Sequence, residues 1–258
     1  MTERTFVSQS AGPVVLGLDL PMGNVHVQVL DNLTTARVVV RTDDSSGPAA
    51  DAVNRARSNQ NGQALAIEVP AIPANVMMQS ARGNRVTQTM GTVYGSVTGL
   101  TVVNGRIITG GGTGVMETVS PIEAIVSLPT GSSLAVVSTS ADACAYGEVD
   151  SLEFRSLSGD LRADSVRTLA ARTTSGDVSV GRVSKAVTVH SVSGDIRIVQ
   201  YDGQRAELNT TSGDVTTQAT DAARGALTAH SVSGDIHLSR TGHLRVSANS
   251  LSGRVRTH

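Results

Sequence analysis

Ser-Gly-Asp followed by an aliphatic residue occurs five times, beginning at Ser158, Ser175, Ser193, Ser212 and Ser233, and Ser252-Gly253-Arg254-Val255 is a sixth, altered copy. The glycines Gly159, Gly176, Gly194, Gly213, Gly234 and Gly253 are separated by 17, 18, 19, 21 and 19 residues. A unit this small cannot bury an apolar face alone, so consecutive units must stack. Each carries one apolar segment before the motif, such as Val187-Thr188-Val189-His190, and another after it, such as Ile196-Arg197-Ile198. Both alternate with the two-residue period of a strand. Ser140-Ala141-Asp142 lies 18 residues before Ser158-Gly159-Asp160 and reads as a degenerate first copy. These features predict an all-β chain dominated by a parallel β-solenoid of about seven coils, roughly 34 Å long at about 4.8 Å per coil.

Composition agrees with thin layers. Aromatic residues make up 2% of the chain and Trp is absent, so Val, Leu, Ile and Ala must fill the core. Large rings would force such layers apart.

The chain divides into three parts on this reading. Residues 1–79 are a β-rich region with one helix. Val14–Leu20, Val25–Val29, Ala36–Thr42 and Ala64–Val69 read as strands, and Pro21-Met22-Gly23-Asn24 as a turn. Ala49–Asn59 reads as the helix, because Ala49, Ala52, Val53 and Ala56 recur at helical spacing and Gly62 follows as a left-handed stop. Residues 80–118 form an insertion punctuated by Gly91, Gly95, Gly99, Gly105 and Gly110-Gly111-Gly112, which reads as an irregular β segment with short strands at Thr92–Tyr94, Ser96–Thr98 and Arg106–Ile108, the alternative being a disordered excursion. Residues 119–258 are the repeats.

Turn chemistry accounts for the motif. A sharp corner between two sheets calls for a residue at positive φ, which glycine adopts without steric cost. Ser and Asp accept hydrogen bonds from nearby backbone N–H groups. Stacking in register would also align Asp160, Asp177, Asp195, Asp214 and Asp235 about 5 Å apart. Such a ladder repels itself unless water, N–H donors or cations intervene. A cation-stabilised roll is therefore an alternative, but calcium takes six to eight oxygens and each coil offers only one Asp and one Ser. Arg254 replaces the aspartate in the last copy, either as a charged contact to Asp235 one coil away or as the drift common in a terminal repeat.

The remaining chemistry-bearing residues do not assemble into a recognisable centre. Cys144 is the single cysteine, which excludes an intrachain disulfide and reads as a small buried thiol. His190 and His230 occupy equivalent outward strand positions two coils apart. Phosphate-loop, nucleophile-elbow and zinc-protease motifs are absent from the sequence. A carbohydrate-binding or carbohydrate-active solenoid is a further alternative, but sugar platforms need aromatics and glycoside hydrolysis needs two carboxylates in unlike surroundings. No cofactor is expected. A net charge of −1 supplies no general field for nucleic acid. The N-terminus lacks a signal-peptide pattern and no run is apolar enough to span a membrane, which leads to the expectation of a cytoplasmic protein.

The segments Thr173-Thr174-Ser175-Gly176-Asp177-Val178, Ser193-Gly194-Asp195-Ile196 and Thr211-Ser212-Gly213-Asp214-Val215 resemble the bacterial β-strand-repeat family described as a putative adhesin. Gly23-Asn24-Val25 is similar to a first, weaker repeat. The resemblance covers residues 10–72 and 119–258, and it implies an adhesive role without implying catalytic residues. Together these readings predict a non-enzymatic structural or interaction module that binds a protein partner or further copies of itself through the solenoid ends.

Overall fold

The protein is described from a computed structural model, which covers residues 1–72 and 117–258 together with the strand segments 76–82, 85–90, 100–103 and 106–109. Ahead of the repeats stand β1 (Thr2–Val7), β2 (Val15–Asp19), β3 (Met22–Leu30), β4 (Arg37–Thr42), α1 (Pro48–Arg55), β5 (Arg57–Asn61) and β6 (Ala64–Glu68). The insertion holds β7 (Val76–Arg82), β8 (Arg85–Met90), β9 (Leu100–Val103), β10 (Arg106–Thr109) and β11 (Glu117–Val119). Here β9 and β10 form an antiparallel hairpin, and β7 pairs with both β8 and β11. The expected strand at Arg106–Ile108 is β10, whereas Thr92–Tyr94 and Ser96–Thr98 lie outside the described residues.

The repeats contribute β12 (Glu123–Pro129), β13 (Ser133–Val137), β14 (Ser140–Ser156), β15 (Leu161–Thr173), β16 (Val178–Ser193), β17 (Ile196–Tyr201), β18 (Arg205–Ser212), β19 (Val215–Ala219), β20 (Ala226–Ser233), β21 (Ile236–Ser239), β22 (Arg245–Ser250) and β23 (Val255–Thr257). They coil into a β-solenoid of about seven turns, the architecture that the glycine period predicts.

The solenoid has two walls. One runs β1-β4-β12-β3-β14-β15-β16-β17-β19-β21-β23. The other runs β5-β6-β2-β13-β14-β15-β16-β18-β20-β22. The long strands β14, β15 and β16 bend through both. Inward positions alternate with outward ones, so Leu169, Val187, Ala206 and Leu227 stack as buried neighbours in successive coils. One apolar core runs from Phe6 to Leu238.

Residues 1–72 are built into this rod. Strand β12 inserts between β4 and β3, and β13 stacks on β2. Two chain segments separated by the insertion therefore interleave in one wall and share one core.

Three local expectations change. The helix ends at Arg55, because Arg57–Asn61 is drawn into antiparallel pairing with β6. Gly62 is left-handed, with φ 59°, but it lies between β5 and β6 and closes that hairpin. Met22-Gly23-Asn24 belongs to β3, whose Ala143↔Val25 and Asp142↔Asn24 pairings put Gly23 level with the repeat corners.

The variable spacing of the repeats has one source. Measured from the motif glycine to the first inward residue of the opposite wall, the chain advances ten residues from Gly159 to Leu169 and eleven from Gly176 to Val187. It advances twelve from Gly194 to Ala206, fourteen from Gly213 to Leu227 and twelve from Gly234 to Val246. From each of those residues to the next motif glycine the advance is always seven. All length variation is absorbed at the corner opposite the motif.

Candidate functional site

The invariant seven-residue stretch ends at the Ser-Gly-Asp corner, the one feature repeated in every coil. Its glycines do not have positive φ, so the left-handed turn expected from the sequence is not what selects them. The cause is proximity. A Cβ at any of the six would lie 2.5–2.8 Å from the carbonyl carbon of the residue beneath it, and closer still to its oxygen. That residue is Ala141 under Gly159, and thereafter the glycine of the coil before. The column lets backbones pack at a distance no side chain permits, and hydrogen bonds such as Gly194 N–H to Ser212 O, 3.1 Å, join the coils there.

A second residue lines the corner from inside and bonds to it in four of the six coils, while the buried hydroxyls of Thr173 and Ser191 have no partner among the described residues. Two positions before the motif serine every coil has Ser or Thr: Ser156, Thr173, Ser191, Thr210, Ser231 and Ser250. The first five are buried. Ser156 Oγ accepts from Gly159 N–H at 2.8 Å, and Thr210, Ser231 and Ser250 donate to the carbonyls of Gly194, Gly213 and Gly234. The sequence reading gave the hydroxyl role to the motif serines, which are exposed on the corner. The signal for the inner hydroxyl was present as an unbroken Ser/Thr column, but an exposed and a buried hydroxyl look alike in sequence.

The aspartates do align. Asp142 Oδ1 accepts from Asp160 N–H (2.9 Å), Asp160 from Asp177 (2.9 Å), Asp177 from Asp195 (2.8 Å), Asp195 from Asp214 (2.8 Å) and Asp214 from Asp235 (2.7 Å). Each carboxylate thus takes a charge-assisted N–H donor from the next coil, which offsets repulsion along the column. Asp235 receives the N–H of Arg254 (2.8 Å), so the contact between these two residues runs through backbone and carboxylate. Toward the N-terminus the same row passes through Asn24, Glu123, Arg41 and Glu3, with Arg41 ion-paired to Glu123 at 2.7 Å. The row therefore begins on an acid and ends on a base.

The other candidates stay dispersed. His190 and His230 stand on either side of Asn209 in one outward row. Cys144 sits half-buried between His26 and Arg162 on the outer face, where burial pushes its thiol pKa up. Among the described residues no three His, Cys, Asp or Glu side chains converge to hold a metal. A groove of about 560 Å³ crosses the N-terminal part of the second wall, over the small residues Gly17, Ala66 and Ala135. At its rim Asp19 pairs in register with Glu68, and partial burial, then the neighbouring acid, raise the Asp19 carboxyl above its ordinary 3.8.

These features define a two-walled parallel β-solenoid whose one recurrent site is a glycine corner backed by hydroxyls and faced by carboxylates. The chain belongs to the Toastrack DUF4097 family, whose profile matches residues 22–257. No curated protein matches it in sequence. Its fold is similar to that of a Bacteroides fragilis protein described as a putative adhesin, at 13% identity and a TM-score of 0.52, covering 100% of this chain and 97% of that one. A putative cell adhesion protein from Clostridium sporogenes aligns at 10% identity and TM-score 0.40 over 99% and 98% of the two chains. A putative lipid binding protein from Parabacteroides distasonis aligns at 12% and 0.40 over 99% and 94%.

Proposed function

We propose that this protein is a non-enzymatic interaction module that associates through the ends of its solenoid. The observation that carries this reading is the state of the last coil. Val246 and Ala248 are only partly covered and Val255 is 40% exposed, whereas their partners one coil in, Leu227, Ala229 and Ile236, are fully buried. Among the described residues β22 and β23 each have a partner on one side only, which leaves a row of N–H and C=O groups without a described partner beside this apolar surface. An edge of that kind pairs readily with another chain. The equivalent corners support a scaffold rather than a reaction centre, because acid–base catalysis needs groups in unlike environments. An adhesive role, in line with the description of the Bacteroides fragilis protein, is compatible with such a module.

Sedimentation velocity over a wide concentration range tests the proposal. Association that deepens with concentration is the expected result, and a strict monomer at every concentration would refute it.

A further inference from the structure

We infer that copies of this chain join head to tail, the last coil of one against β1 and β5 of the next, with Arg254 of the first copy meeting Glu3 of the second. This rests on the proposal that the ends associate, and adds the polarity and the residues of the joint.

Charge sets the polarity. Residues 236–258 contain Arg240, Arg245, Arg254 and Arg256 and no acid. The elements at the other end, β1, α1 and β5, are mixed, with Glu3 and Asp51 beside Arg4, Arg55 and Arg57. Two C-terminal ends brought face to face would oppose eight arginines, and like charges across an interface disfavour that pairing. A C-terminal end against an N-terminal end meets this mixed surface instead, with Glu3 opposite Arg254.

Register agrees. Glu3 and Arg254 terminate the same outward row of the first wall, Glu3 through its pairing with Arg41 and Arg254 through its N–H bond to Asp235. Stacking one rod on another continues that row and sets guanidinium beside carboxylate at the joint. Backbone direction also permits the stack. Strand β1 is antiparallel to β4, and β4 to β12, so β1 runs parallel to the strands of its wall other than β4, and its outer edge, unpaired among the described residues, has the sense that β23 requires. In the second wall β5, which runs antiparallel to β6 and so to β22, has no partner on its outer side among the described residues, and β22 would meet it in the antiparallel sense. Arg4, the inward neighbour of Glu3, is already engaged with the carbonyls of Asn54 and Ala56 at the end of α1. Its charge is thereby turned toward the helix.

A heterologous joint of this kind leaves a free end on each product, so it builds open chains. Charge reversal tests it. Arg254→Glu spoils only the tail and Glu3→Arg only the head, and both side chains are exposed, so both variants should keep the wild-type circular dichroism spectrum. By sedimentation velocity each variant alone should associate at least about tenfold more weakly than wild type. An equimolar mixture should recover association, with the two variants alternating along the chain, because the unaltered tail of Glu3→Arg meets the unaltered head of Arg254→Glu and the two reversed ends attract each other. The double variant should associate again. Raising salt from about 0.05 M to 0.5 M should weaken the wild-type joint.

If Arg254→Glu alters association while Glu3→Arg does not, the joint is tail to tail and the inference fails, although end association stands. If neither variant alters it, the contact lies elsewhere, and both statements about the ends fail. Should Arg254→Glu or Glu3→Arg disturb the spectrum, Arg254→Gln and Glu3→Gln carry the same comparison with a smaller expected effect.

Discussion

The reason for the glycine column can be decided by substituting Gly194. Its φ lies outside the left-handed region, and a Cβ there would stand 2.7 Å from the carbonyl carbon of Gly176 and 3.1 Å from Ser191 Oγ. Neither neighbour has room to retreat, since one is the backbone of the coil beneath and the other is a buried side chain. Gly194→Ala must therefore open the stack at that corner, an overpacking cost of about 1–3 kcal/mol. Gly194→Asn must cost at least as much. A glycine chosen for positive φ behaves in the opposite way, because Asn tolerates that region better than Ala does. Gly62, at φ 59° with nothing within 4 Å of its Cβ position, is the internal reference for that behaviour. Gly242 has open space and no left-handed φ, so Gly242→Ala should change stability by less than about 1 kcal/mol. Urea denaturation followed by circular dichroism measures all of these through the midpoint at constant slope. A Gly194→Asn variant more stable than Gly194→Ala, or a Gly194→Ala variant equal to Gly242→Ala, would refute the close-approach argument.

Three further substitutions probe the same architecture. Tyr201 is fully buried and its hydroxyl has no partner, with burial pushing its pKa up, so Tyr201→Phe should stabilise the fold by about 1 kcal/mol, and a loss of similar size would reveal a bound partner. Asp195→Asn keeps an acceptor for the N–H of Asp214 and removes one charge from the column, so it should be at least as stable as wild type, whereas Asp195→Ala should lose about 1 kcal/mol; the reverse order in thermal melts would show that the carboxylate bond does not hold the coils. The carboxyl of Asp19 is raised in the folded state, so it favours folding below its unfolded value near 3.8 and loses that contribution as pH rises through the folded value. Asp19→Asn should therefore be the more stable protein at pH 7 and lose that advantage near pH 3, and melting curves that stay parallel across this range would contradict the shift.

The Ser-Gly-Asp period determined by itself that this chain coils, where its corners fall and which residues face inward. These are properties of one unit repeated, and a period of two within each strand writes them into neighbouring positions. Even the first weak copy around Gly23 was visible. Other features depended on which coil lies under which. Strand β12 slips between β4 and β3, far from both along the chain, because any alternating apolar strand fits the wall and only the complete stack selects one. The same cause hid the end of α1, since Arg57–Asn61 is polar and becomes a strand only through the edge that β6 offers. Strand β1 was missed likewise, for its extended form rests on β4. The glycines and inner hydroxyls were legible as columns, yet their task was not. A carbonyl pressed against a Cα belongs to the next coil, and distance between coils is set by tertiary packing alone.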